Sequence, residues 1–281
     1  MAEKRKFYGM RNDYMFHAVL QKNEEVLRNL LATLLEMDEA DIVSCDIENP
    51  IELGKEIEGK ECILDVKLTL NHAKIINIEL QVYKQTYWVE RSLLYWARAY
   101  DSLKSGEDYS KLLPTYHIGI LDFTLFEEHP KFMAQYQIID VEDQFLYSDK
   151  LCIKVLDLTQ LDAARKQENV NKKLLKWASI FKAETLEELE QLANGEEVFE
   201  KMVVTMKKLS EDEKIRMQCE AREDYERCLL SEFNAGKREG EEIGKNNVYR
   251  DLISSWLKKG KTIAEIAEDL GKTEEYVKSL M

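Results

Sequence analysis

Residues 63–82 read ILDVKLTLNHAKIINIELQV, two apolar-rich runs separated by the turn-like pair Asn71-His72. Side chains alternate across a strand, so pairing the runs 63–70 and 75–82 as a hairpin sorts their residues onto two faces. Leu64, Val66, Leu68 and Leu70 share one face with Ile76, Ile78, Leu80 and Val82, a surface fit for a core. The other face collects Asp65, Lys67, Asn77, Glu79 and Gln81. An acid on each of two adjacent strands brings two carboxylates together, where repulsion disfavours ionising both. A divalent cation removes that penalty. Magnesium suits the pattern because it prefers oxygen ligands and takes only one or two protein carboxylates beside waters and a substrate phosphate. Such a site supports phosphate-ester hydrolysis. A polar, solvated face on a two-layer sheet has the same pattern, and spacing alone leaves both readings open.

Upstream of the hairpin, Asn12 and Asp13 sit where helix caps belong. Phe16, Val19, Leu20, Val26, Leu27, Leu30, Leu31, Leu34 and Leu35 then recur at helical spacing, predicting a helical segment over about 13–36 broken near Asn23. Between Ile42 and Tyr83 short Ile/Val/Leu runs alternate with turn-like Asn49-Pro50, Glu58-Gly59-Lys60 and Asn71-His72, the pattern of three strands. Downstream, 85–104 reads as a helix and 113–126 as a buried strand, and 136–145 with 151–158 form a second hairpin around Tyr147-Ser148-Asp149. After Gln160 Glu, Lys, Leu and Ala dominate at helical spacing, with Asn194-Gly195 the clearest break. Gly236, Gly240 and Gly244 recur every fourth residue, either on a helix face where backbones approach or in a polar linker. Residues 248–281 read as three short helices, with Thr262 and Glu265 forming a capping box and Gly271 closing the second helix.

The 281 residues are 44% apolar and 33% charged with 3 Pro and 11 Gly, a composition that folds around a sizeable core. No apolar run approaches a membrane span, and the basic start at Lys4, Arg5 and Lys6 leads into no apolar signal core, so a soluble cytoplasmic protein is expected. Cys45, Cys62, Cys152, Cys219 and Cys228 include no CxxC pair and read as reduced thiols. The net charge of −14 divides as −6 over residues 1–125 and −8 over the remainder, so any nucleic-acid contact must be local. His17, His72, His117 and His129 show no metal-ligand spacing and read as turn or packing residues. GxxxxGK[ST], GxGxxG and GxSxG are absent.

Asn12-Asp13 before the first helix, LDVKLTL at 64–70 with NIELQV at 77–82, and GEDYSKLLPTYHIGILDFTLF at 106–126 occur in this order in one family. The sequence resembles the recombination-promoting nuclease (Rpn), transposase-like group of the PD-(D/E)XK nuclease superfamily, over roughly residues 8–160. The glycine-periodic segment and terminal helices are also similar to tails such proteins carry. The resemblance implies an α/β fold: a PD-(D/E)XK nuclease-like core with a mixed central sheet flanked by helices. It makes Asp65 the motif aspartate and Glu79 the second acid, both Mg2+ ligands together with the Leu80 carbonyl, with Mn2+ as a substitute. Gln81 stands in the motif's lysine position, where a neutral amide can orient water but cannot offset negative charge. Leu64 replaces the proline before the aspartate. Asp13 is similar to the further acid such nucleases bring to the metal, its alternative role being a helix cap.

Tyr87, Arg91, Tyr95 and Arg98 follow at spacings of four, four and three along one side of the helix after the second strand, a pattern suited to stacking and phosphate contacts on DNA or to packing against the helical half. Lys67 either contacts phosphate or pairs with a carboxylate. The expected organisation is a nuclease-like core over 1–160, a helical region over 161–235, a glycine-periodic helix or linker over 236–247 and a helix-turn-helix-like unit over 248–281. The expected function is a Mg2+-dependent DNA endonuclease acting by simple hydrolysis in recombination, mobile-element or defence settings, with no membrane partner. One alternative is a weak or inactive nuclease fold that binds DNA or partners, self-associating through its C-terminal helices. A further alternative, gene regulation through 248–281, sits poorly with the zero net charge of that unit.

Overall fold

The computed structural model describes residues 6–51, 53 and 65–281. Lys4, Arg5, the Glu58-Gly59-Lys60 turn, Cys62, Ile63 and Leu64 lie outside the described residues. The chain divides into two compact units, residues 1–223 and 224–281.

The first unit opens with α1 (Asp13–Lys22) and α2 (Glu24–Leu35). Asn12 caps α1 by accepting the Met15 N–H, and one residue, Asn23, ends α1 and starts α2: its N–H donates to the Val19 carbonyl and its side chain accepts from Val26. The strands β1 (Cys45–Ile47), β2 (Val66–Leu70), β3 (Lys74–Gln81), β4 (Thr115–Leu121), β5 (Met133–Ile139) and β6 (Leu146–Asp157) form one mixed sheet in the order β1-β2-β3-β4-β6-β5. The predicted hairpin is β2–β3, antiparallel, with Val66 opposite Ile78 and Leu68 opposite Ile76. Asn71 and His72 close it at positive φ, and the Asn71 carboxamide ties the turn to the segment before β1 by accepting from Val43 and Ser44 and donating to the Asp41 carbonyl. After β3 the chain crosses through α3 (Trp88–Tyr100) to β4, which runs parallel to β3, as β6 does to β4.

The second hairpin pairs β5 with β6, but its turn lies at 141–144, with Gln144 at φ 63, and Tyr147-Ser148-Asp149 is inside β6. Both stretches have turn-like composition. The deciding difference is register, with Ile138 facing Ser148 and Ile139 facing Leu146.

Both faces of the sheet are covered, so it is not the two-layer sheet with one solvated face that spacing also allowed. Val66, Leu68, Ile76, Ile78, Ile118 and Ile120 enter the main core with α1, α2, α5 (Lys172–Lys182) and α7 (Glu197–Glu211). Phe16, Trp177, Phe181 and Phe199 form an aromatic cluster in that core. Residues from the stretch after 160 thus share one core with the strands. On the opposite face α3 sets Trp88 against a smaller cluster of Leu121, Ile153 and Val155. Gly119 makes this possible, since a Cβ there would lie 2.3 Å from Trp88 Cζ2. Between α5 and α7, α6 (Leu186–Ala193) ends at the expected Asn194-Gly195 break, where Gly195 has φ 84.

The helix α8 (Glu213–Lys258) is continuous through Gly236, Gly240 and Gly244, which resolves that segment as helix, and no other residue reaches a Cβ position on any of the three among the described residues. In the second unit its last turns join α9 (Ile263–Leu270) and α10 (Glu274–Ser279) around Ile253, Ile266, Ala267, Val277 and Leu280. The expected capping box is formed: Glu265 N–H donates to Thr262 Oγ1, and Thr262 N–H donates to the Glu265 carboxylate at 2.7 Å. Gly271 ends α9 at φ 60. No described helix is long and apolar enough to cross a membrane.

Replacing Gly119 by Ala forces Trp88 away from β4. We expect a loss of about 1–3 kcal/mol in urea unfolding, with part of it recovered when Trp88→Phe is added to make room.

Candidate active site

The face beneath α3 holds the acidic pair. Asp65 immediately precedes β2, and one step beyond the Val66–Ile78 pair places it opposite Glu79. Asn49 extends the strand's hydrogen bonding at this point: its amide donates to the Asp65 carbonyl at 2.6 Å and its carbonyl accepts from Lys67 N at 2.9 Å. Glu79 is 1% exposed. Its Oε1 accepts from Arg91 Nε at 2.8 Å, while His117 Nε2 lies 3.4 Å from Oε2, beyond a well-formed hydrogen bond. Oε2 and His117 Nε2 therefore have no hydrogen-bond partner among the described residues.

His117 stands beside Asn77 because β3 and β4 are parallel with these residues in register, and Asn77 Nδ2 lies 3.1 Å from His117 Nδ1. An amide nitrogen can only donate, so Nδ1 accepts and the ring proton is on Nε2, facing Glu79. Asn77 also favours the ionised form of the Asp65 carboxyl. Above these groups Trp88 and Tyr95 lie 5.9 and 6.2 Å from the His117 ring, and the Arg91 guanidinium covers Tyr95 at 4.3 Å.

These surroundings separate the two acids. Burial first, then the charge of Glu79, push the Asp65 carboxyl well above the usual range, against the weaker pull of Arg91 and Asn77. Burial also opposes ionisation of Glu79, but His117 and Arg91 outweigh it and hold that carboxyl low. The two environments thus push the proton affinities of the pair apart, with Asp65 the acid that holds its proton more tightly.

Asp13 adds its charge to the surroundings of Asp65. It is not the helix cap, a role Asn12 fills; its carboxylate is clasped by Arg222 of α8. Gln81, at the end of β3, donates weakly to the Tyr83 carbonyl at 3.4 Å. The Leu80 side chain is in the main core, which leaves only its backbone for any ligand role. Lys67 pairs with Glu48 at 2.8 Å. The Tyr87–Arg98 side of α3 divides: Arg91 turns inward to Glu79 and Tyr95 lies beneath it, whereas Tyr87 and Arg98 are exposed. The reading of His117 as a packing residue is corrected, since its polar atoms face Asn77 and Glu79. Its alternation with Gly119 and Leu121 was visible in the sequence, but the parallel pairing that sets it beside Asn77 was not.

The donor set fits a hard divalent cation. It offers carboxylate oxygen ligands, one of them, Glu79 Oε2, without a hydrogen-bond partner among the described residues, as suits Mg2+ or Mn2+. Among the described residues no group of three or more His, Cys, Asp and Glu side chains is close enough to cage a metal, and two carboxylates are within the number Mg2+ takes from protein. A cavity of about 540 Å3 bordered by Phe7, Leu186, Ser210 and Arg216 shares no residue with this cluster.

A family model described as PD-(D/E)XK nuclease family transposase matches residues 10–233. No curated protein and no solved structure matches the chain.

The two acids should respond oppositely to neutralisation in metal-free protein at neutral pH. Asp65→Asn removes a carboxyl whose ionisation the site opposes and raises the melting temperature. The folded state holds the Asp65 proton more tightly than the unfolded chain, so this advantage shrinks as pH falls toward the ordinary carboxylate range. Glu79→Gln removes the charge that Arg91 faces and costs about 2 kcal/mol, less than the roughly 3–5 of a fully buried pair because part of Arg91 meets solvent. Urea unfolding of both variants across pH measures this; equal signs for the two would contradict it.

Proposed function

Because the chain belongs to the PD-(D/E)XK nuclease family transposase group, we propose that it is a Mg2+-dependent DNA endonuclease that hydrolyses phosphodiester bonds in recombination, mobile-element or defence processes. The observation that carries this reading is the pair Asp65 and Glu79 facing each other across β2 and β3, with Glu79 buried, its Oε2 without a hydrogen-bond partner among the described residues, and the proton affinities of the two acids pushed apart. A buried acidic pair with opposed proton affinities is a recurring feature of catalytic sites and an uncommon one of purely structural sheets.

Asp65, Glu79 and the Leu80 carbonyl would hold the cation. When bound, Mg2+ polarises the phosphoryl oxygen and makes the attacking water more acidic. The chain's own residues do the rest. Arg91 fixes Glu79 in one rotamer, and Asn77 orients the His117 ring beside it. Gln81 orients water through its amide and adds no charge, so the charge developing at phosphorus is left to the cation and to nearby guanidinium groups. Tyr87 and Arg98 on the exposed side of α3, with Lys67 once released from Glu48, would receive DNA backbone and bases as local contacts on an acidic protein.

The second reading, a nuclease fold that binds without cutting, is favoured by one observation: Arg91 and Arg222 already pair with Glu79 and Asp13. A plasmid-nicking assay separates the two. Metal-dependent cutting that EDTA stops and Asp65→Ala removes supports the enzyme. Intact plasmid under Mg2+ and Mn2+ alike leaves the binder. For an active enzyme, Gln81→Lys should raise the rate by supplying the missing charge.

A further inference from the structure

Metal-assisted hydrolysis at Asp65 and Glu79 gives His117 no task, yet its imidazole is wholly buried beside Glu79. On β4 the residues turned toward α3 are His117, Gly119 and Leu121, and the rings of Trp88 and Tyr95 lie 5.9 and 6.2 Å from the first of them. A phenylalanine would fill such a place with no polar atom to satisfy, whereas a buried imidazole costs free energy unless its nitrogens are used. Both face polar partners. Nδ1 accepts from Asn77 Nδ2 at 3.1 Å across the parallel register of β3 and β4, which leaves the ring proton on Nε2, 3.4 Å from Glu79 Oε2. Neither Nε2 nor Oε2 has a closed hydrogen bond among the described residues, an open contact of the kind that tightens when a site loads. At the other oxygen, Arg91 Nε holds Oε1 at 2.8 Å. One donor anchors a carboxylate but leaves its plane free to turn, because the last torsion of a glutamate is broad. A second donor at the other oxygen stops that rotation.

We propose that His117 is a positioning residue for Glu79, set by Asn77 in the tautomer that turns its N–H toward Oε2. Arg91 fixes where the carboxylate sits and His117 fixes how its plane is turned, so Oε2 is offered to a cation in one direction. A carboxylate oxygen has lone pairs enough to take the imidazole N–H and a cation together. His117 touches neither substrate nor cation and acts through Glu79 alone. This rests on the reading of Glu79 as a ligand of the cation. Groups that orient a metal ligand from behind typically govern metal affinity by about 10–100-fold when removed.

The test is Mn2+ titration of the full chain, followed by the loss of the free-ion EPR signal. The melting temperature and the nitrogen NMR spectrum of metal-free protein labelled in its histidine rings are read in parallel. His117→Phe keeps the packing and removes both nitrogens, and should weaken Mn2+ binding about 10-fold or more. His117→Gln, with its N–H donor on a flexible chain, should recover only part of the loss. In the unaltered chain the His117 signal, identified by its absence from His117→Gln, should show a proton on Nε2 and a bare Nδ1, and Asn77→Leu should mix the two tautomers. A proton on Nδ1 in the unaltered chain, alone or beside one on Nε2, overturns the proposal, and so does a tautomer unmoved by Asn77→Leu. Unchanged Mn2+ affinity in His117→Phe with an altered melting temperature would mean that His117 only packs, and tighter affinity would mean that it competes with the cation; either overturns the proposal. Should His117→Phe fail to fold, unchanged affinity in His117→Gln overturns it equally. Failure of the underlying reading looks different: Glu79→Gln then binds Mn2+ as the unaltered chain does, or the unaltered chain binds none, and the proposal falls with it.

Discussion

Glu79 is almost wholly removed from water, and an ionised carboxylate in such a place costs several kcal/mol unless charge and hydrogen bonds answer it. Three elements contribute to the answer. The helix α3 brings Arg91 within 2.8 Å, β4 brings His117, and β3 itself contributes Asn77, which orients the His117 ring. What they leave unanswered is equally informative. A second carboxylate sits opposite with its proton held tightly, and one oxygen of Glu79 has no hydrogen-bond partner among the described residues. The site is poised for one more positive centre.

The requirement to bury that charge shapes the surrounding fold. Covering Glu79 needs a helix close to the sheet, and Trp88 can approach only because β4 carries Gly119 opposite Glu79. The crossover between β3 and β4 is therefore both a topological connection and the lid of the acidic cluster. The net charge of −14 is compatible with this arrangement because cationic groups are placed at particular acids: Arg91 at Glu79, Arg222 at Asp13, and Arg11 with Lys182 at Asp122. Their value lies in local geometry, as expected where distant charges are screened.

Legibility followed the range of the interactions. Elements decided within a few residues were read correctly from the sequence: the helix break at Asn23, the alternation of the β2–β3 hairpin, and the Thr262–Glu265 capping box. The misplaced turn of the β5–β6 hairpin shows where local reading fails, since two segments had turn chemistry and pairing between distant residues chose one. The Tyr87–Arg98 stripe shows the same limit of local reading. Its spacing was right, but only packing against Glu79 could turn Arg91 inward and leave Arg98 in solvent.

From the residues alone came a mixed fold, an apolar face paired with an acidic one, and Asp65 and Glu79 as neighbours, because strand alternation and hairpin pairing depend on spacing of two and on one short turn. Tertiary structure decided which charges are buried and who answers them. Parallel pairing set His117 beside Asn77, the crossover helix covered Glu79, and Arg222 reached Asp13 across more than two hundred residues of chain. Proton affinity and orientation at a site depend on distances in space, and no local pattern in the chain encodes a distance between residues so far apart in sequence.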